Sequence, residues 1–313
     1  MSDSTKFKRN RSSGGRSKPY YQWYTPLLFL LPGLILYFLW TLYPLFYQLY
    51  ISFFDWKIIP GQESQFIGLA NYQKEVNDKI FWLAMQNTAM YTIVTVIGQM
   101  IVGMALAVFV NRVIIGKKLF RAIYYLPVVT SWLVVSFLFM YLFSPGEAGL
   151  INYILMQLGI IQEPISWMVS ASNAWIAIYS LGIWKGMGWT MVILLAALQG
   201  IPTELYEAAA IDGAGEWQRF VYITIPLIRR TLFFVLIALM IGGFQVFLSV
   251  LIMTGGAPLH RTEVALTYMF NEAFGKLEFG YGAALSYILA VIIVIVSVLQ
   301  SKLFNPGDSE IEY

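Results

Sequence analysis

The sequence predicts an all-α membrane protein that crosses a bilayer six times. Three observations carry this. Apolar residues make up 58% of the 313 residues and charged residues 12%, with a mean hydropathy of +0.67; soluble domains carry about 45–50% and about 25%. Long stretches lack Asp, Glu, Lys and Arg altogether: 19–54, 80–111, 122–146, 164–184, 186–203, 231–260 and 279–301. The positive charges, finally, fall unevenly between the segments that separate these stretches. So little polar surface cannot coat a globule in water, which excludes an ordinary soluble enzyme and a disordered chain.

A helix needs about 20 apolar residues to cross a hydrocarbon core of about 30 Å. Lipid offers no partners to backbone polar groups, so runs of this length are helices. The chain opens with a basic tail, 1–24, where Lys6, Lys8, Arg9, Arg11, Arg16 and Lys18 are spaced by Ser and Gly. This composition reads as a disordered topology anchor rather than a nucleic-acid arm. The first predicted span, 25–53, far exceeds the about 7–15 residues of a signal-peptide core, and no A-x-A-like site follows it. The second and third spans are predicted at 84–111 and 122–144. Between the third and fourth, Gly149–Ile161 is apolar but too short to cross, and fits a helix at the outer interface. Lys185 alone separates 164–184 from 186–203, leaving no room for a loop. One span near 174–199 therefore carries Lys185 close to its middle. The fifth and sixth spans follow at 231–254 and 281–302, and a short tail, 304–313, ends the chain.

Orientation follows from the positive charges. Segments sharing a side with the N-terminus hold 14 Lys and Arg, and those on the other side hold 5. Both termini are thereby predicted to be cytoplasmic. Tyr20, Tyr21, Trp23, Tyr24, Trp40, Tyr124 and Tyr125 lie near span ends, as interfacial belts do. There is no Cys and a single His, His260. Thiolate sites, disulfides and metal sites built on paired histidines are excluded, and no cofactor is expected.

The inside segment 200–230 is long and patterned. Thr203 is placed as an N-cap and Glu204 in a first turn, where the helix dipole favours an anion. Glu207-Ala208-Ala209-Ala210 is strong helix-forming sequence, and Gly213 and Gly215 break the helix. A second helical stretch, about Glu216 to Tyr222, is stopped or kinked by Pro226.

Glu207-Ala208-Ala209, three residues, Gly213, nine residues, Ile223, one residue, then Ile225-Pro226 resembles the EAA loop of permeases of binding-protein-dependent ABC importers. The run from Glu207 to Ala214 is similar to the extended form in carbohydrate permeases. Gly68 to Tyr72, Asn87-Thr88, Phe120-Arg121 with Leu126-Pro127, and Thr254 to Pro258 with Thr262 agree with the same family. The resemblance covers residues 25–303, the predicted permease domain. It implies a type I importer fold in a bacterial or archaeal cytoplasmic membrane. It also implies a heterodimer with a second permease, an ABC ATPase dimer and an extracytoplasmic solute-binding protein for a sugar or sugar-like solute. The coupling set it implies is Glu207, Ala208, Ala209, Asp212, Gly213, Ile223 and Pro226. Glu207 would pair with a basic residue of the ATPase, Gly213 would permit the turn that aims the helix, and Asp212 would cap the stretch that follows.

The chain has no ATP site of its own. No G-x-x-x-x-G-K-[ST] occurs, so it is read as a transport subunit and not an enzyme. Within the spans, Trp184, Lys185, Trp189 and Gln245 are candidates for the substrate path. A lysine near the bilayer centre costs about 2.5–3.5 kcal/mol on insertion scales. Lys185 is therefore read as donating to solute hydroxyls, as binding the partner chain, or as snorkelling. Trp184 and Trp189 are read as sugar-stacking platforms. Gln245 and Gln99 suit hydroxyl-rich ligands or helix–helix pairing. Gly186, Gly188, Gly242 and Gly243 are expected at close helix packing. His260 and Arg261 are outer-loop candidates for meeting the binding protein. A secondary transporter or channel for a small polar solute is the alternative, but paired carboxylates within the spans are missing. A membrane enzyme would need a His, a Cys or an acidic pair at membrane depth.

The topology is testable because no native Cys interferes. Single cysteines at Gln73 and Ser172 should label from outside in intact cells, and those at Ser12 and Ser309 only after permeabilisation. External labelling at Ser12 or Ser309 would overturn the orientation.

Overall fold

The computed structural model describes residues 24–112 and 115–304. Apart from Tyr24 and Phe304, the two predicted tails lie outside the described residues. Backbone contacts divide the chain into two units, Met1–Tyr50 and Ile51–Tyr313.

The first unit is helical from Thr25 onward. α1 (Thr25–Tyr37), a π-helical turn (Phe38–Leu42) and α2 (Tyr43–Ser52) follow one another without a break, giving a helix over Thr25–Ser52. Pro26 sits in the first turn, where its missing N–H is no loss. The π turn ends two residues before Pro44, which cannot donate to the ladder.

The second unit opens with two short antiparallel strands, β1 (Phe54–Asp55) and β2 (Gln65–Phe66). Helices follow: α3 (Ala70–Val76), α4 (Lys79–Arg112), α5 (Lys117–Val129), α6 (Trp132–Leu142), α7 (Leu150–Gln157) and α8 (Ala171–Gln199). Next come α9 (Thr203–Ile211), α10 (Glu216–Arg219), a π turn (Phe220–Thr224), α11 (Ile225–Leu227), α12 (Arg229–Phe244) and α13 (Leu248–Met253). α14 (Ala265–Phe270), a π turn (Asn271–Gly275) and α15 (Phe279–Phe304) complete it.

Among the described residues, four helices are long and apolar enough to cross a bilayer: Thr25–Ser52, Lys79–Arg112, Ala171–Gln199 and Phe279–Lys302. The other two predicted spans are interrupted: the third bends by 96° between α5 and α6, and the fifth breaks between α12 and α13. α10–α11 meets α12 at 70° ahead of the fifth span, where Pro226 was expected to stop or kink the preceding stretch. The crossings number six when each bent pair counts as one. Pro127 weakens the last turn of α5, and Thr130 then turns extended (ψ 150°). The fifth span ends at Phe244 instead of 254, because Gly242-Gly243 are poor helix formers. The second begins at Lys79 instead of 84. Asp78 caps it, its Oδ1 accepting from the N–H of Ile80 (2.9 Å) and Phe81 (3.2 Å).

α4 and α8 pack along a seam of glycines, each opposite a larger side chain. A Cβ on Gly98 would meet Ile183, on Gly103 Thr190, on Gly182 the Tyr91 hydroxyl, and on Gly186 the Gln99 amide. Gly243 is close to Thr92 in the same way. Such small residues let helices approach where lipid gives no hydrophobic drive. Gly242 departs from the expected packing role: nothing lies within 4 Å of its would-be Cβ. Three apolar clusters result. Phe139, Phe143, Trp167, Ile178 and Leu181 join α6 to α8. Phe81, Met85, Tyr281 and Leu285 join α4 to α15. Val110, Met191, Leu195 and Val235 join α4, α8 and α12. The short α7 is pinned by buried Asn152. Its Nδ2 donates to the carbonyls of Gly146 and Ile165, and its Oδ1 accepts from Trp167 Nε1 at 2.9 Å.

At Gly188 the close neighbour is backbone: its Cβ would stand 2.2 Å from the Tyr124 carbonyl oxygen of α5. Gly188→Ala should cost about 1–3 kcal/mol of stability. Gly242→Ala should leave stability unchanged. Thermal unfolding of the purified variants in detergent checks both.

Candidate functional site

Two constellations concern function: the segment from α9 to α11, and a cavity between α4, α8 and α12–α13. A third, at the end of the unit away from α9, was not foreseen.

α9 begins after Pro202, not with Thr203 as its cap: Thr203 is the first helical residue and Pro202 the N-cap. Proline before the first turn fixes φ at −58° without demanding a donor. Glu204 lies in the first turn as expected. The helix ends in a Schellman motif: Ala214 N–H donates to the Ala209 carbonyl (2.8 Å) and Gly213 N–H to that of Ala210 (3.1 Å). Gly213 has φ +83°, which a side chain would strain. Asp212 is the C-cap residue of α9. The cap of α10 falls to Gln218, whose Oε1 accepts from Gly215 N–H at 2.8 Å. Tyr206 hydroxyl pairs with Thr224 Oγ1 at 2.8 Å, bracing α9 against the π turn before Pro226. Arg112 at the end of α4 reaches Glu216 at 3.0 Å. Glu204, Glu207, Ala208, Asp212 and Gly213 are exposed, Ala209 and Ile223 half-buried, and Pro226 exposed. Ile211, Trp217 and Tyr222 also stand out into solvent. The segment is thus a braced helix presenting a carboxylate and small side chains.

The cavity holds about 620 Å³. Tyr91, Thr95 and Gln99 line it from α4, Trp132 from the start of α6, Gly182, Gly186 and Trp189 from α8, and Gln245 and Ser249 from the α12–α13 break. No charged side chain lines it among the described residues. Of the four path candidates, the structure brings Trp189 and Gln245 together here. Trp184 lies elsewhere, packed on Phe139 with centroids 5.7 Å apart. Lys185 is buried, and its Nζ donates to the carbonyls of Pro127 (2.7 Å), Val128 (3.0 Å) and Thr130 (2.7 Å). Solute donation and snorkelling both give way to this: the lysine closes the broken end of α5. Gln99 lines the cavity while donating to the Gly182 carbonyl at 3.1 Å. Tyr91 belongs to an aromatic run with Tyr179 and Trp175, the last donating to the Arg261 carbonyl. The residues Tyr91 and Trp132 were missed because single aromatics in apolar spans carry no periodic signal.

At the opposite end, Asp78 is a hub. Its Oδ2 accepts from Tyr268 (2.5 Å) and Tyr281 (2.6 Å), besides the α4 cap. Burial pushes this carboxyl up, but the two phenols and the N–H of Phe81 and Ile80 together hold it below its usual range. Nearby, Lys74 pairs with Glu278 and Lys276 with Glu272. Glu75 is fully buried and neither of its carboxylate oxygens has a hydrogen-bond partner. Burial, then the Asp78 charge, push its pKa up to about 8. In the adjoining loop, Asn87 Nδ2 donates to the carbonyls of Arg261 (3.1 Å) and Glu263 (2.8 Å). His260 is turned onto the buried Glu263 at 2.9 Å.

Residues 99–305 match the family described as the binding-protein-dependent transport system inner membrane component. The chain belongs to this family. The probable ABC transporter permease protein YurN of Bacillus subtilis is 33% identical over 91% of this chain and 97% of its own length. The arabinooligosaccharides transport system permease protein AraP of the same organism is 33% identical, covering 96% and 95%. Among solved structures, a bacterial ABC transporter involved in the import of the acidic polysaccharide alginate superposes with a TM-score of 0.78. It is 22% identical and covers 90% of this chain and 96% of its own, a likeness of fold. Membership of the family accounts for the apolar helices and makes the chain an inner membrane component.

The raised pKa of Glu75 sets a pH dependence. The folded state holds the proton more tightly than the unfolded chain. Its stabilising contribution is complete below the ordinary glutamate range and is lost as pH rises through about 8. The melting temperature of the purified protein should fall from about pH 5 to about pH 9, and Glu75→Gln should flatten that fall.

Proposed function

We propose that this chain is one permease half of a sugar importer. It pairs with a second, different permease, is driven by an ABC ATPase dimer, and receives its solute from an external binding protein. The observation that carries the solute class is the uncharged cavity, with its amide, phenol, hydroxyl and indole lining. Amides and hydroxyls meet sugar hydroxyls as both donors and acceptors, and indole faces cover the C–H faces of a ring. The arabinooligosaccharide transport in the name of the relative AraP supports the same class. The family's dependence on a binding protein supports the external partner.

The ATPase is assigned to a partner because the chain carries no phosphate-cradling glycine loop with its lysine. α9 is the lever on that partner. The exposed Glu207, with Ala208 and Ala209, enters its cleft, and the Gly213 turn sets the angle of entry. Asp212 closes α9 at that turn. Ile223 and Pro226 belong to the leg braced by Tyr206 that carries the motion into α12. The charge bias supports placing α9 and both termini in the cytoplasm, with the Asp78 cluster outside.

Sugar uptake by the reconstituted complex tests both parts. Trp189→Ala and Gln245→Ala should each lower uptake about three- to tenfold, the loss expected of one stacking face or one hydrogen bond. Glu207→Lys and Gly213→Pro should abolish uptake and ATPase copurification while the chain still inserts. Normal uptake in both coupling variants would remove the role given to α9.

A further inference from the structure

Among the described residues Lys185 is the one buried cation, and no carboxylate stands against it. Its three acceptors are backbone carbonyls, matching the three N–H bonds of an ammonium. These carbonyls belong to the last turn of α5 and the residue that ends it. Orphan carbonyls at a helix C-terminus carry the negative end of the dipole, where a cation is favoured. Gly188, one turn along α8, permits the backbone contact with Tyr124 that brings the ammonium under that end.

The same Nζ lies 5.2 Å from the ring centroid of Trp132, within cation–π reach. Trp132 is the first residue of α6, directly after the 96° bend, so the bend sets the direction of its indole. That indole lines the cavity, whereas Lys185 does not. Trp189, one turn from Lys185 on α8, lines the same cavity.

We propose that Lys185 is a positioning residue: by tying the bend between α5 and α6 and holding the Trp132 ring, it fixes that indole as a stacking wall of the solute cavity. The proposal rests on the reading of the cavity as the sugar site. The lysine itself meets no solute. Its ammonium sets the angle between two indoles that do.

Uptake by the reconstituted complex, with the partner permease and ATPase copurified, separates the alternatives. Trp132→Ala and Lys185→Met should each lower uptake about tenfold, and the double variant should be no worse than either single one. Lys185→Arg returns a cation and N–H donors to the same carbonyls and should restore most of the loss. A spectroscopic readout accompanies these. The change in tryptophan emission on solute delivery that disappears in Trp132→Phe should also disappear in Lys185→Met. Where Lys185→Met does not assemble, Lys185→Arg decides, by its uptake and by the emission change that it should retain. Additive losses, an emission change that persists without the lysine, or an assembled Lys185→Arg complex with no recovered uptake would overturn the proposal, leaving Lys185 a structural clamp. Normal uptake in Trp132→Ala also overturns it. If Trp189→Ala and Gln245→Ala are then normal too, the failure lies with the sugar reading of the cavity.

Discussion

Within a bilayer, a backbone that leaves the helix must find its hydrogen-bond partners inside the protein. Much of this structure answers that constraint. The α5–α6 break is closed by Lys185. After α12, the N–H of Gln245 and Val246 fall back on the carbonyls of Gly242 and Gly243. The loop after α13 is held by Thr262, which donates to the Ala257 carbonyl, and by Asn87 reaching across from α4. The turns around α7 hang on Asn152. In each of these places a side chain or a local turn supplies partners to backbone groups that the helix has released.

The cavity is a by-product of the same economy. Glycines let α4 and α8 touch along Gly98, Gly103, Gly182 and Gly186, while Gly242 faces open space. Close packing on one side and a broken helix on the other leave a hollow. Because the buried lysine is spent on carbonyls, its charge stays out of that hollow. The hollow's lining is mainly apolar, with a few amide, phenol and hydroxyl groups and no charge among the described residues.

Much of this was legible in the sequence, for definite reasons. Charge-free runs report spans because lipid excludes ions, and four of them emerged as unbroken long helices. Gly213 was legible because a helix stop with φ +83° suits glycine. The breaks after α5 and α12 were not: Pro127 and Gly242-Gly243 weaken a helix, but whether it breaks depends on what stands ready to receive the freed groups. The receiver of the first, Lys185, lies 58 residues from Pro127. The two tryptophans of α8 illustrate a signal passed over. Five residues apart, they point to different faces of a helix, and Trp189 alone reaches the cavity. Asp78 ahead of an apolar run was likewise a readable cap. Its phenolic partners, near the far end of the chain, were not.

The lysine clamp bears on how the chain enters the membrane. α5 has 13 residues and α6 has 11, each short of the about 20 that cross alone, and α5 opens with Lys117, Lys118 and Arg121. α8 is long enough but carries a cation at its middle. Each is a poor passenger during synthesis, and each holds what the other lacks: carbonyls in want of donors, and an ammonium in want of acceptors. Lys185 is translated well after the bend it secures. Until α8 has been made, the carbonyls at the end of α5 lack the donor that meets them in the folded chain.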